Sequence, residues 1–257
     1  MRVLVQSLSV CYVFCRIRRS GSNGLDPRRK VRNVGRLCIP VVETTVEKAL
    51  IAIKETNRLA DLIELRVDYL SRVKLAPLLE SRQKPFIVTN RREEEGGQYK
   101  GEERKRLGAL QEAIDLGGDY IDVELATERS FLRSLIRNKG ETQVILSSHD
   151  FLRTPSPKEL QRLFGQMIRL GADVVKIVSF AKSWEDNLSI LSLIPFARKR
   201  RQRIVAFCMG EKGKISRIFS PFLGAAWTYA SLSRVKASAP GQLTAGEMRE
   251  IWKMLKL

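Results

Sequence analysis

The stretch Asp173-Val174-Val175-Lys176-Ile177-Val178 decides how the fold of this chain is predicted. Four β-branched residues surround one lysine, a composition typical of a strand buried on both faces of a parallel sheet. Gly171 comes two residues earlier, where a preceding helix is expected to end. Seven more short apolar runs occur along the chain. Their starts lie roughly 20–34 residues apart, which is the period of a β-α unit.

Eight strands and the helices between them define the predicted architecture. The predicted strands are Leu37–Val42, Leu62–Val67, Phe86–Asn90, Tyr120–Leu125, Gln143–Ser148, Asp173–Val178, Arg203–Cys208 and Ala225–Tyr229. The clearest amphipathic helices are predicted at Val46–Ala60, Glu102–Leu116 and Lys158–Leu170. This alternation predicts an α/β protein with a (β/α)8 TIM barrel over residues 37–257. A doubly wound open sheet is the alternative, but no G-x-G-x-x-G turn follows the first strand and no G-x-x-x-x-G-K-[ST] loop occurs.

The positive charge is unevenly distributed. The chain has 46 Lys and Arg against 28 Asp and Glu, a formal charge of +18. Residues 1–36 contain nine of these basic residues and one acid, Asp26, which makes +8 of the total. We predict that residues 1–36 are a basic N-terminal extension, either flexible or a misassigned start, before a single barrel domain. The body has no basic stripe interleaved with aromatic residues, so no nucleic-acid partner is expected.

Cysteine usage and hydropathy bear on the compartment. Cys11, Cys15, Cys38 and Cys208 form neither a paired metal-binding spacing nor a disulfide framework. A reducing cytoplasm is the simplest interpretation. The chain has no apolar run of roughly 18 residues or more, so a transmembrane helix is not expected.

Lys176 is the first candidate for chemistry. In a TIM barrel, functional groups lie at the carboxyl ends of the strands. A lysine between valines and an isoleucine is expected to point into the barrel, where burial disfavours the ammonium and lowers its pKa. The neutral amine is a nucleophile toward carbonyl groups. The structural alternatives are a lysine that extends to solvent from the strand end, or one paired with a buried carboxylate.

His149 is the second candidate and the only histidine in the chain. It follows the fifth predicted strand, which neighbours the sixth in a barrel. His149 and Lys176 are therefore expected to face the same space, with an imidazole able to transfer protons near neutral pH. The alternative is an ordinary surface or core histidine.

Further charged residues occur where the barrel mouth is expected. Glu64, Arg66 and Arg91 lie in or directly after strands, where charges are costly unless paired or used. They predict either a buried ion-pair network or a polar pocket for an anionic, hydroxylated ligand. Arg217 is a candidate for bidentate binding of a carboxylate. The small-residue stretch 236–242 is a candidate lid, or else an ordinary turn.

Taken together and in order, these motifs resemble the type I 3-dehydroquinate dehydratase family from about Leu37 to the C-terminus. The motifs are E-L-R-V-D at 64–68, T-x-R at 89–91, E-G-G at 95–97, S-x-H-D at 147–150, A-D-x-x-K-I at 172–177, M-G-x-x-G-x-x-S-R at 209–217 and A-S-A-P-G-Q at 237–242. The resemblance implies a (β/α)8 fold, a homodimer, and a shikimate-pathway reaction that needs neither metal nor organic cofactor. The expected partner is the small-molecule substrate 3-dehydroquinate.

The resemblance also implies a role for each matching residue. Lys176 would form the Schiff base, His149 would move the protons, and Glu95 would orient and tune the histidine. The substrate contacts that it implies are Glu64, Arg66, Arg91, Arg217, Ser238 and Gln242. Where some relatives have a substrate-binding serine on the first strand, this chain has Pro40, which has no side-chain donor. The resemblance therefore implies no substrate contact from the side chain at position 40.

Two other functions remain open at the level of the sequence. Another Schiff-base barrel, such as an aldolase or transaldolase, would also need Lys176. The residues that favour the dehydratase are the carboxylate clamp at Arg217 and the lid motif. A basic nucleic-acid-binding protein, suggested by the charge of +18, would show salt-sensitive binding that persists without Lys176.

Overall fold

The computed structural model describes residues 35–257, and within that range eight parallel strands alternate with eight α-helices. The strands are β1 (Leu37–Val41), β2 (Leu62–Arg66), β3 (Phe86–Thr89), β4 (Tyr120–Glu124), β5 (Gln143–His149), β6 (Val174–Phe180), β7 (Arg203–Met209) and β8 (Thr228–Tyr229). The helices are α1 (Val46–Thr56), α2 (Leu75–Glu80), α3 (Glu103–Asp115), α4 (Arg129–Arg137), α5 (Pro157–Arg169), α6 (Asp186–Lys199), α7 (Lys214–Leu223) and α8 (Ala245–Met254). The predicted extension lies outside the described residues, except for Gly35 and Arg36.

The strands follow one another around the sheet in chain order from β1 to β7, and β8 pairs with β1. A hydrogen bond from the Ala226 N–H to the Ile204 carbonyl links the start of the eighth segment to β7. The sequential order leaves no switch point, so the structure is the predicted (β/α)8 barrel and the open doubly wound sheet is excluded.

Alternation along the strands divides the core into two parts. In β6, Val174 and Val178 belong to the cluster inside the barrel, whereas Val175 and Ile177 pack outward against the helices. Side chains on a strand point alternately to opposite faces. Lys176 therefore shares the inward face with Val174 and Val178.

Capping residues define the helix ends, and some bounds differ slightly from those predicted. Ser156 caps α5 in a reciprocal capping box with Glu159, and Pro157 is the first helical residue. Helix α1 ends at Thr56 rather than near Ala60. Strand β8 contains two residues instead of the predicted five, because only Thr228 and Tyr229 pair with β1.

Three strands extend further than predicted. β5 includes His149, β6 continues to Phe180 and β7 to Met209, because the ladders that join these strands persist that far. No helix within residues 35–257 has both the length and the apolar character needed to cross a membrane.

Candidate active site

All nine predicted site residues line one cavity at the carboxyl ends of the strands, with about 520 Å³ of empty space. They are Glu64, Arg66, Arg91, Glu95, His149, Lys176, Arg217, Ser238 and Gln242. Because they come from strands β2, β5 and β6, the loop after β3, helix α7 and the loop after β8, only barrel closure brings them together. The expectation that His149 and Lys176 face the same space is confirmed.

Lys176 is buried on the barrel interior and is held by acidic groups. Its Nζ lies 2.8 Å from Asp122 Oδ2 and 3.3 Å from Glu64 Oε1. The ring of Tyr229 lies 4.5 Å from the same nitrogen. The sequence left open a lysine paired with a buried carboxylate, and the structure shows such pairing in addition to the inward orientation. These two carboxylates give the buried nitrogen ion-pair partners inside the barrel.

Asp122 and Glu124 were not among the predicted site residues. Both are fully buried on β4, and both contact Arg91: Nη2 lies 2.6 Å from Asp122 Oδ1, and Nη1 lies 3.1 Å from Glu124 Oε1. Although burial raises the pKa of Asp122, Arg91 and Lys176 hold it well below its usual range. The signal was available, since the two acids occupy alternate positions in an otherwise apolar strand, as Glu64 and Arg66 do on β2.

His149 and Glu95 form a pair at the cavity wall. His149 Nδ1 lies 3.0 Å from Glu95 Oε2. Burial, reinforced by Arg91 and Lys176, lowers the pKa of His149 well below its ordinary value. Burial also raises the pKa of Glu95 to about 7. The imidazole is therefore neutral at neutral pH, and its Nδ1 proton can be held by the ionised Glu95, which leaves Nε2 as a base.

Two glycines decide which glutamate reaches the histidine. Gly96 has a φ of +77°, a left-handed conformation that favours glycine. A Cβ on Gly97 would lie 2.0 Å from the Arg91 carbonyl oxygen, so the loop can return over the strand end only with glycine there. This turn directs Glu95 to His149, while Glu93 pairs with Lys100. The assignment of Glu95 from the E-G-G motif agrees with this geometry.

Arg217 is a buried cation that forms no ion pair with any acid of residues 35–257. Its side chain lies 4.3 Å from the Phe207 ring, and its Nε and Nη2 have no hydrogen-bond partner among the described residues. Burial lowers the pKa of Arg217 to about 10. Ser216 holds this part of α7, because its hydroxyl accepts from the Cys208 N–H and donates to the Gly213 carbonyl. Two unsatisfied buried donors at the cavity wall are suited to a carboxylate ligand.

The stretch 236–242 closes one side of the cavity. The Gly210 N–H donates to the Pro240 carbonyl, and a Cβ on Gly241 would lie 2.2 Å from the Gly210 carbonyl oxygen. Gln242 Oε1 accepts from the Ser238 N–H at 2.7 Å. The small residues of this motif therefore permit close approach of two loops, and Ser238 and Gln242 both face the cavity.

The remaining predicted polar residues are already paired. Arg66 donates two hydrogen bonds to Asp68, at 2.9 and 2.7 Å. Glu64 Oε1 accepts from the Thr89 hydroxyl at 3.0 Å. The sequence left open a polar pocket or a buried ion-pair network. In the structure, the same residues form both. Pro40 is not among the residues that line the cavity.

An apolar side of the cavity was also missed. It is formed by Phe151, Val178, Phe207, Met209 and Ala239. Sequence patterns do not distinguish such side chains from ordinary core residues. A ligand in this cavity would therefore contact a nucleophilic lysine, a neutral imidazole and a carboxylate-binding arginine on one side, and apolar side chains on the other.

Comparisons with known proteins agree with this geometry. A family model described as type I 3-dehydroquinase matches residues 37–257. The 3-dehydroquinate dehydratase of Methanocaldococcus jannaschii is 36% identical over 225 residues, which cover 86% of this chain and 99% of that protein.

Solved structures are similar as well. The 3-dehydroquinate dehydratase of Geobacillus kaustophilus aligns with a TM-score of 0.79 at 28% identity, covering 87% of this chain and 91% of that one. A type I enzyme from Clostridium difficile, solved with covalently modified comenic acid, aligns with a TM-score of 0.77 at 27% identity, covering 86% of this chain and 92% of that one.

Proposed function

The chain belongs to the type I 3-dehydroquinase family, and from that premise we propose how its residues carry out the reaction. The activity is that of a 3-dehydroquinate dehydratase, a hydro-lyase of the shikimate pathway. Family membership displaces the aldolase-type and nucleic-acid-binding alternatives. The observation that supports the mechanism is that Lys176, His149 and the unpaired Arg217 share one cavity.

Substrate binding begins at Arg217. The substrate carboxylate accepts hydrogen bonds from the guanidinium, which has two buried donors free for it. This contact orients the ring so that its C3 carbonyl faces Lys176. Glu64, Arg66 and Arg91 supply polar contacts to the hydroxyl side of the ring. Ser238 and Gln242 bind from the lid side.

Lys176 then forms the Schiff base. Its Nζ gives up a proton and attacks C3 to form the C–N bond. The C–O bond then breaks, and the carbonyl oxygen leaves as water with the two protons that the nitrogen has lost. The resulting iminium withdraws electrons from C2 and so acidifies the adjacent C–H.

His149 moves the protons of the elimination. Its neutral form accepts the C2 proton, and the electron pair of that bond passes toward the iminium nitrogen. The same imidazole, now protonated, gives its proton to the departing C1 hydroxyl, which leaves as water. Glu95 holds Nδ1 and stabilises the transient imidazolium. Hydrolysis of the imine releases 3-dehydroshikimate and restores Lys176.

Two further expectations belong to this proposal. A homodimer is suggested by the family resemblance, and sedimentation of the purified chain would test it. A cytoplasmic location is suggested by cysteine usage, since Cys38 and Cys208 are both free thiols and suit a reducing compartment.

Covalent trapping tests the mechanism directly. The enzyme is incubated with 3-dehydroquinate and borohydride, digested, and examined by mass spectrometry, while product is followed by its enone absorbance. We expect a reduced adduct on Lys176 and none in Lys176→Ala, whose turnover should fall by about 10⁴-fold or more. An adduct elsewhere, or full turnover by Lys176→Ala, would contradict the assigned nucleophile. Absence of both adduct and product in the wild type would contradict the function.

A further inference from the structure

Asp122 is the acidic group closest to the reactive nitrogen, yet it does not line the cavity. Its Oδ2 accepts from Lys176 Nζ at 2.8 Å, and its side chain is fully buried. Oδ1 accepts from Ser147 Oγ and from Arg91 Nη2, both at 2.6 Å. The carboxylate thus approaches Lys176 from behind, on the side away from the ligand, and two other donors fix its orientation.

The second carboxylate at Lys176 is placed differently. Glu64 Oε1 is 3.3 Å from Nζ, and Glu64 lines the cavity where a ligand would contact it. Its oxygen also serves the Thr89 hydroxyl. When substrate enters, Glu64 has a new partner available, whereas Asp122 has none. Asp122 is therefore the anion that stays with the nitrogen throughout the reaction.

We propose, on the basis of the function proposed above, that Asp122 is the permanent counter-ion of the Lys176 nitrogen and keeps the Schiff base in its protonated form. It pairs with the ammonium in the free enzyme and with the iminium after condensation. After condensation, the remaining N–H of the iminium donates a hydrogen bond to Asp122 Oδ2 and stays on the nitrogen.

The charge balance of the reaction gives this anion its importance. An ammonium and a carbonyl condense to an iminium and water, so two ammonium hydrogens leave with the carbonyl oxygen and one positive charge stays on the nitrogen. If the iminium loses its last proton, the neutral imine accepts electrons from C2 poorly and the C–H is no longer acidic. A fixed carboxylate opposes that loss.

Neighbouring cations make the counter-ion necessary. Arg91, which follows β3, lines the same cavity and pairs with the same carboxylate, and Arg66 faces the cavity from β2. The other titratable groups near Lys176 are Cys38 on β1, Glu64 on β2, His149 on β5 and Tyr229 on β8. Cys38 and Tyr229 are neutral because burial raises the pKa of each group well above its ordinary value. Once Glu64 turns to the substrate, Asp122 is left as the balancing charge.

The test compares two acids on the same strand. Asp122 and Glu124 are both fully buried on β4 and both contact Arg91, but only Asp122 contacts Lys176. The measurement is kcat with 3-dehydroquinate as a function of pH, together with borohydride trapping at each pH. In Asp122→Asn, we expect the alkaline fall of kcat to begin about one to three pH units lower than in the wild type. Above the pH where this fall begins, kcat should decrease about tenfold for each pH unit. Glu124→Gln should leave the pH of that limb unchanged, whatever its effect on the size of kcat.

Other outcomes would overturn the proposal. An unmoved alkaline limb in Asp122→Asn, or an equal shift in Glu124→Gln, would reduce Asp122 to one member of a structural network. Asp122→Ser is a second neutral variant in case the asparagine variant does not fold, and Asp122→Glu should retain the wild-type limb because it keeps the charge. A shifted limb in Asp122→Glu would also count against the counter-ion role.

The experiment separates this inference from the proposed function. If the wild type forms no adduct on Lys176, the Schiff-base function fails. If the wild type is trapped on Lys176 and the limb of the neutral variants does not move, only the role of Asp122 fails.

Discussion

The two ends of the barrel interior are built by the same strands from opposite kinds of side chain. The lower layer, near the strand starts, consists of Cys38, Leu62, Ile87, Ile145, Val174, Val205 and Trp227. The upper layer, one inward position further along the strands, contains Glu64, Thr89, Asp122, Ser147 and Lys176. A shift of two residues on β6 replaces Val174 by Lys176, and on β2 it replaces Leu62 by Glu64.

This contrast shows that the lower layer stabilises the fold, whereas the upper layer supplies the functional groups. Apolar side chains in the lower layer gain stability by leaving water. Ions in the upper layer must be paired, because removing one partner from a buried pair costs about 3–5 kcal/mol. The chain meets that cost by alternating charges, from Lys176 through Asp122, Arg91 and Glu124 to Arg106. Catalysis uses the few members of this layer that remain free to contact a ligand.

The largest effect on turnover is expected on β5, from substitution of His149. His149→Ala should lower kcat by about 10²–10⁴-fold, because the base and acid of both proton transfers are lost. Part of the borohydride adduct on Lys176 should survive. Ile145→Ala, four residues earlier on the same inward face, is the control and should keep kcat within about threefold while lowering stability by about 2–5 kcal/mol. Equal losses of adduct and turnover in His149→Ala would argue against its proposed role.

A second prediction contrasts arginines at opposite ends of the barrel. Arg217→Leu should raise KM for 3-dehydroquinate by about 10–100-fold, because a charge-assisted bidentate contact to the carboxylate is lost. Arg203, which lies near Tyr120 and Trp227 at the other end, is the control. Steady-state kinetics of Arg203→Leu should show an unchanged KM. If KM rises equally in both variants, general positive charge rather than a specific clamp attracts the substrate.

A third prediction concerns pH and the Glu95–His149 pair. The pKa of Glu95 is raised by burial to about 7, so its ionised form, which holds Nδ1–H, is lost as pH falls through that value. The pair should therefore give kcat an acid limb near pH 7. In Glu95→Gln we expect kcat to fall by about tenfold and the limb to disappear, since the amide does not titrate and burial keeps His149 neutral. A limb that stays near pH 7 in this variant would belong to another group.

The smallest effect on turnover is expected from the lower layer. Leu62→Ala removes a fully buried side chain on β2, two residues before Glu64. The free energy of unfolding should fall by about 2–5 kcal/mol, as measured by urea denaturation, because a cavity remains. The values of kcat and KM should stay within about twofold of the wild type. A large loss of activity in the folded variant would show that the two layers are not independent.

Much of the site was predictable because the motifs lie at strand ends. Short apolar, β-branched runs at the spacing of β-α units identified all eight strands, and the carboxyl ends of parallel strands in a barrel must face one mouth. That rule placed Lys176 and His149 together without any contact information. The E-G-G motif of the family resemblance picked out Glu95 among three consecutive glutamates, because Gly96 and Gly97 fix its register.

The partners of the charged residues were harder to predict. Asp122 and Glu124 follow the same alternating pattern as Glu64 and Arg66, yet a strand pattern says only that a side chain faces inward. Which acid meets Lys176 depends on the stagger of β2, β4 and β6 around the barrel. The apolar wall at Phe151 and Met209 carries no pattern distinct from that of the core.

The sequence by itself determined the barrel, the inward orientation of Lys176 and the common mouth of the charged strand-end residues, because side-chain alternation and the β-α period can be read along the chain. Only the tertiary structure decided that Lys176 is paired with two acids, that Arg217 is left without one, and that Asp122 approaches from behind. Those facts depend on distances between residues far apart in the chain. A few ångströms separate an ion pair from an unsatisfied charge, and the stagger of the closed sheet sets that distance.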